Sequence, residues 1–224
     1  MKPLTRKQIA WRVAQDIDNG CVVNLGAGMP TMVSNFVPAE REVMFHAENG
    51  LLGIGPLAAK GKEDPELINA GGQMVTLLPG GSYFHHADSF AMIRGGHIDI
   101  AVLGAYEVSV QGDLANWHLP GSSTTPAVGG AMDLAECARR LFVMMEYCAR
   151  DGAPKILQEC TLPLTARQCV DAIYTDLAIV DVTGNGLVVR EMLAGLDLET
   201  LQGKTGAPIR LAADWKTLTA PELD

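Results

Sequence analysis

The sequence predicts an α/β fold: a single open, mainly parallel sheet with helices on both faces and some antiparallel strands in the last third. Three observations carry that expectation. Strand-like and helix-like segments alternate through the first two-thirds of the chain. Of 224 residues, 48% are hydrophobic and 19% charged, which suits a well-buried core. Only 5% are aromatic while 24 residues are glycine, as expected of a packed sheet joined by tight turns. No linker interrupts residues 1–224, so one domain is expected.

Taken in order, Thr5 to Asp18 reads as an amphipathic helix, capped by Thr5, with Ile9, Val13 and Ile17 at four-residue spacing. Asn19-Gly20 ends it, and Cys21 to Leu25 follows as a buried strand. Gly26-Ala27-Gly28-Met29-Pro30-Thr31 then leads into helical Met32 to Phe36. Such a glycine-rich turn either cradles an anion on backbone N–H groups or is a plain strand-to-helix turn. Thr31 stands where a G-x-G-x-x-G pattern needs its third glycine. Val43 to Ala47 is a strand, and Val75 to Leu78 another, stopped by Pro79-Gly80-Gly81. Asp88 to Arg94 is helical and ends at Gly95-Gly96. Ile98 to Leu103 is a strong strand, and Tyr106 to Val110 a short one that turns at Gln111-Gly112-Asp113. After Leu114-Ala115-Asn116-Trp117 comes an irregular stretch from Leu119 to Asp133, a length of loop that usually signals function. Leu141 to Glu146 is a strand, and Cys169 to Ile173 extends a short helix. Leu177 to Val182 and Gly186 to Arg190 are strands around a turn at Thr183-Gly184-Asn185-Gly186. Asp197 to Gln202 is a helical turn capped by Gly203, and the tail from Ala212 is loosely held.

The bulk numbers exclude several functions. A net charge of −9 and a pI near 5.0 argue against nucleic acid as a partner, which needs clustered Lys and Arg. Five cysteines at irregular spacings, without C-x-x-C, support neither a disulfide framework nor a zinc site. Reduced thiols in a cytoplasmic protein are expected. No signal-like segment opens the chain, and no apolar run reaches the ~18 residues of a membrane span.

The segment His46-Ala47-Glu48-Asn49-Gly50-Leu51-Leu52-Gly53-Ile54-Gly55-Pro56 places a carboxylate just beyond a strand end among three glycines. In an open α/β sheet, ligands bind there. Glu48 is either a solvated turn residue or a covalent nucleophile. An ordinary glutamate, with a pKa of about 4.3, needs no general base to attack an activated acyl group such as a thioester. The resulting oxyanion needs preorganised donors, each worth about 3–4 kcal/mol. Gly129-Gly130 is either a source of such backbone donors or a flexible turn. Asn49 is placed to hold the carboxylate or the loop. His46 and Glu48 would share a strand face, but no third metal ligand is evident. His85-His86 point to opposite faces if extended, and no G-x-S-x-G elbow occurs.

Seven segments, in order, resemble the B (beta) subunit of two-subunit 3-oxoacid CoA-transferases. They are Asn24 to Thr31, Glu48 to Pro56, Ile68 to Gly71, Leu78 to Gly80, Ser89 to His97, Leu114 to Trp117 and Gly129 to Leu134. The resemblance covers the chain to roughly residue 195, and 3-oxoadipate and acetoacetate transferases are the most similar branches. It implies that Glu48 forms an acyl-glutamyl anhydride and then a glutamyl-CoA thioester, and that Gly130 supplies an oxyanion donor. Asn49, Gly50, Gly26, Gly28 and Gly129 are the expected contacts to substrate or CoA. No cofactor is expected to be permanently bound, because the CoA thioester is itself a substrate. The other half of the site comes from an A (alpha) subunit in this family, so a heterotetramer is expected.

Three departures stand out. Ala47 replaces the family's serine, Ser122 to Val128 replaces a lysine-containing stretch, and His85-His86 replaces two small residues. An acyl-CoA hydrolase or a non-catalytic ligand sensor on the same scaffold are the alternatives. Retention of Glu48 and Gly129-Gly130 favours the transferase, with succinyl-CoA and 3-oxoadipate as first-choice substrates.

Overall fold

A computed structural model describes residues 2–121 and 125–223. The first helix, α1 (Arg6–Gln15), starts at Thr5 through a reciprocal cap: Gln8 N–H donates to Thr5 Oγ1, and Thr5 N–H donates to Gln8 Oε1. It leads to β1 (Val22–Leu25), a 3-10 segment Met29–Asn35 entered through Pro30, and β2 (Met44–Ala47). Then come β3 (Leu51–Leu57), β4 (Val75–Tyr83), α2 (His86–Arg94) and β5 (Ile100–Leu103). The middle of the chain holds β6 (Glu107–Ser109), β7 (Leu114–Ala115), α3 (Ala131–Cys137), β8 (Arg140–Met144) and β9 (Ile156–Leu157). The remainder is β10 (Ala172–Tyr174), β11 (Ala178–Thr183), β12 (Gly186–Leu193), α4 (Leu198–Gln202) and β13 (Ile209–Leu218).

Among the described residues, ten strands make one sheet in the order β13-β12-β11-β10-β8-β5-β1-β2-β3-β4. Its centre, β10-β8-β5-β1-β2, is parallel throughout. Both faces are covered. Ile9, Val13 and Ile17 pack with Val23, Val102 and Phe142 on one face. Ile93 of α2, Leu134 of α3 and Leu201 of α4 pack with Ala101 and Val143 on the other. Alternate residues of one strand thus serve opposite cores, as the pleat requires. A small sheet, β7-β6-β9, adds Val108, Leu114 and Ile156 to that second core.

The structure corrects several local expectations. Antiparallel pairing occurs not only at β10-β11-β12 but also at β2-β3-β4, directly after Glu48. Leu51–Leu57 is a strand despite its glycines, because register shifts around Ile54 accommodate them. β4 continues through Pro79-Gly80-Gly81 because it is an edge strand, where a missing N–H costs no ladder bond. The end of the long loop is helical, as α3. Cys169 to Ile173 contains no helix: Ala172–Tyr174 is a fully buried strand, and a short apolar run does not reveal its period. Nor is the tail loose, since Ile209–Leu218 pairs in parallel with β12. Its largely exposed, polar face hides the pattern.

A charged network fastens α1 to the sheet. Arg12 holds Glu191 through two nitrogens, and its Nη1 donates to Asp16 at 2.7 Å. Asp16 also accepts from Arg190 Nη1 (2.8 Å) and Tyr174 Oη (2.7 Å). Burial pushes the Asp16 carboxyl up, but these donors outweigh it and hold the group below the ordinary carboxylate range. Glu191 is only 8% exposed. Arg12→Met is therefore expected to lower unfolding stability by about 3–5 kcal/mol in urea, by stranding a buried charge. The double change with Glu191→Leu should recover much of that loss.

All five cysteines are free thiols, and burial pushes Cys160 and Cys169 up to about 12. No described helix is long and apolar enough to cross a membrane.

Candidate active site

The parallel strands β2, β1, β5 and β8 end along one rim, and a cleft of about 530 Å³ opens above it. Gly26, Glu48, Gly104, Trp117, Gly129 and Gly130 contribute to its lining. This is the rim at which open α/β sheets bind ligands.

Glu48 is set in the turn between β2 and β3. Gly50 N–H donates to the Ala47 carbonyl (3.0 Å), closing the turn at φ +114°, and Phe84 N–H donates to the Gly50 carbonyl (3.1 Å). Asn49 turns away, its Nδ2 donating to the Ile68 carbonyl at 2.8 Å. Asn49 thus ties down the loop rather than the carboxylate. The amide that faces Glu48 belongs to Asn24 of β1, whose Nδ2 lies 3.5 Å from Glu48 Oε2.

Asn24 is fully buried, and the same Nδ2 lies 3.0 Å from His46 Nδ1. The other ring nitrogen, His46 Nε2, lies 2.9 Å from Ser89 Oγ, which also donates to the Ala47 carbonyl at 3.2 Å. With both nitrogens engaged by protein groups, His46 is committed to the interior. Among the described residues, no group of three His, Cys, Asp or Glu is placed to hold a metal.

Burial lowers the His46 pKa to about 4, against an ordinary 6.5. The folded state therefore refuses a proton that the unfolded chain accepts. The stabilisation is complete above pH 6.5 and is lost progressively as the pH falls toward 4, by about 3 kcal/mol in all. Urea unfolding between pH 7 and 4 should show this slope in the wild type and much less of it in His46→Asn.

Gly130 also comes close to Glu48. A Cβ placed on Gly130 would sit 2.9 Å from Phe90 Cζ and 3.8 Å from Glu48 Cδ. Glycine is what allows the start of α3 to approach both. The approach is held by α2–α3 packing and by Arg94 Nε donating to Asp133 Oδ1 at 2.6 Å. Gly129, exposed and at φ +54°, lines the same cleft. Gly26 also lines it, but its N–H is already given to the Val102 carbonyl at 2.9 Å. Gly28 is exposed at the start of the 3-10 segment and lies outside the lining set.

The remaining motif residues hold the frame. Asn116 Nδ2 donates to the Gly104 carbonyl (3.1 Å), and Trp117 Nε1 to that of Leu164 (3.2 Å). His85 caps α2, its Nδ1 accepting from Ala87 N–H, while His86 packs on Phe90. The Ala47 side chain lies in an apolar cluster with Leu51, Leu67 and Val75. Of the Ser122–Val128 segment, residues 122–124 lie outside the described residues, while Ala127 and Val128 line the cleft.

Sequence reasoning placed Asn24, Ser89 and Phe90 inside family-like segments but gave them no role beside Glu48. Asn24 carried a signal, being a lone amide in the buried run Val22-Val23-Asn24-Leu25, where a polar group must find partners.

Comparison with known proteins bears on this arrangement. The family model described as Coenzyme A transferase matches residues 6–203. The chain is 57% identical over 208 residues to the beta (B) subunit of the 3-oxoadipate CoA-transferase of Pseudomonas putida, covering 93% of this chain and 97% of that one. It is 48% identical over 202 residues to the beta (B) subunit of the probable succinyl-CoA:3-ketoacid coenzyme A transferase of Bacillus subtilis, covering 90% and 93%. Among solved structures, an acyl-CoA transferase apoenzyme from Escherichia coli O157:H7 matches the fold with a TM-score of 0.77 at 18% identity. That match covers 96% of this chain and 43% of the longer one.

Proposed function

The chain belongs to the coenzyme A transferase family, and from that premise we propose that it is the beta half of an enzyme that moves CoA from succinyl-CoA to a 3-oxoacid through Glu48. The observation that carries the reading is the convergence on Glu48 of a buried amide from β1 and the glycine backbone at the start of α3.

A Glu48 carboxylate oxygen attacks the acyl carbonyl carbon. The C–S bond breaks, and CoA leaves as a thiolate with the electron pair. The thiolate then attacks the Glu48 carbonyl carbon of the anhydride, expelling the first acid as its carboxylate and leaving a glutamyl-CoA thioester. The carboxylate of the second acid runs both steps in reverse, which gives ping-pong kinetics. Gly130 N–H donates to the oxyanion formed at each addition. Contacts to the remote parts of CoA help drive these steps.

An alpha subunit completes the oxyanion hole and closes the cleft, two copies of each chain forming a heterotetramer. The assembly works in the cytoplasm. Of the candidate acids, 3-oxoadipate is preferred, in keeping with the relative at 57% identity.

The test is acceptor dependence. The paired subunits, given succinyl-CoA, should form 3-oxoadipyl-CoA only when 3-oxoadipate is added, with little free thiol released in its absence. Steady thiol release without acceptor would replace transfer by hydrolysis. Faster turnover with acetoacetate would reassign the acid.

A further inference from the structure

We propose that His46 is a positioning residue for Glu48: as a neutral imidazole carrying its proton on Nε2, it fixes Asn24 with its amide N–H groups turned toward the carboxylate. The inference rests on Glu48 being the nucleophile. The hydrogen-bond chain fixes each proton in turn. Ser89 Oγ has one proton and two neighbours, the Ala47 carbonyl at 3.2 Å and His46 Nε2 at 2.9 Å. The carbonyl can only accept, so it takes the serine proton. Ser89 Oγ then accepts from Nε2–H, which leaves Nδ1 bare. The bare Nδ1 accepts one hydrogen of Asn24 Nδ2 at 3.0 Å, and the second hydrogen of that nitrogen points to Glu48 Oε2 at 3.5 Å.

The opposite setting is self-defeating. If the imidazole proton moved to Nδ1, the Asn24 amide would turn over. Its carbonyl oxygen would then face the Glu48 carboxylate, acceptor against acceptor. Asn24 Oδ1 is buried without a partner among the described residues, so the amide is oriented by its N–H groups and not by its carbonyl.

Asn24, His46 and Ser89 are 0%, 2% and 0% exposed, which leaves no bulk water to substitute for a lost link. Phe84 stacks on the imidazole at 6.1 Å and covers the ring. The chain starts on the Ala47 carbonyl and ends on the carboxylate of the next residue, so the turn and its nucleophile are locked as one unit. Anchoring one oxygen of Glu48 leaves the other to face the acyl carbon, and the long resting contact is of the kind that tightens when substrate binds.

The experiment compares His46→Leu with His46→Asn in the assembled enzyme, reading single-turnover formation of the Glu48 adduct from succinyl-CoA. Leu removes the acceptor facing Asn24, whereas Asn places its Oδ1 near the Nδ1 position and restores it. The Leu variant should form adduct ~10–100-fold more slowly, the cost of one hydrogen bond to a charged group. Its half-saturating succinyl-CoA concentration should stay within about twofold of wild type, because the link acts on the attack and not on substrate binding. The Asn variant should recover most of the rate. Should the Leu variant fail to fold, Ser89→Ala carries the test, with an expected slowing of roughly three- to tenfold as the tautomer loosens. Wild-type adduct with unchanged rates in these variants overturns the role of His46 alone, as does equal slowing by Leu and Asn. Absence of any wild-type adduct overturns the nucleophile reading, and the role of His46 with it.

Discussion

Glu48→Gln is expected to reduce CoA transfer by about four or more orders of magnitude, the scale on which loss of a covalent nucleophile is felt. An amide has the size of the carboxylate but not its charge, and it cannot form the anhydride. The fold should be untouched. The carbonyl oxygen of the substituted side chain would still accept from Asn24 Nδ2, which lies 3.5 Å from Glu48 Oε2 in the native site. Thermal melting is the control, with a midpoint within a degree or two of wild type. Near-normal turnover in this variant would remove Glu48 from the chemistry.

Gly50→Ala should cost about 3–5 kcal/mol, or a fall in melting temperature on the order of 10 °C. Two effects add. Gly50 sits at φ +114°, which an L-residue adopts only under strain. A Cβ there would also run into the backbone carbonyl of Phe84, which cannot move without breaking its neighbouring Phe84 N–H bond to Gly50. Gly28→Ala is the comparison: its φ is +86°, but the space around it is open, so only the strain applies. If the two variants melted alike, the Phe84 contact would not be what holds the turn. Because the same turn carries Glu48, the Gly50 variant should lose activity beyond its loss of stability.

The parts of the fold legible in the sequence were those with a local period. α1 showed its four-residue spacing and its Thr5 cap, and β1 and β5 showed short apolar runs between turn residues. β3 and β13 were illegible because their pairing is decided elsewhere. Gly53 and Gly55 lower strand propensity in β3, yet β2 and β4 flank it on both sides. β13 is an edge strand whose residues mostly face solvent.

The candidate site divides in the same way. Glu48 was visible because a carboxylate at a strand end among glycines is a local pattern. Gly130 was visible as a Gly-Gly pair, and its role came only from the resemblance. What brings it to Glu48 is the packing of α3 on α2, which no spacing reveals. The Asn24–His46–Ser89 chain joins β1, β2 and α2 through buried contacts, so it emerges only from the assembled sheet.

The most direct test of Glu48 is the intact mass of this chain, paired with an alpha subunit, after exposure to succinyl-CoA without an acceptor acid. A glutamyl-CoA thioester adds the mass of CoA less one water. Borohydride should then release CoA and leave an alcohol at residue 48, locatable by peptide mapping and missing from Glu48→Gln. Wild-type chain that turns over with acceptor, yet shows neither the CoA adduct nor the borohydride product at residue 48, would contradict covalent transfer through Glu48.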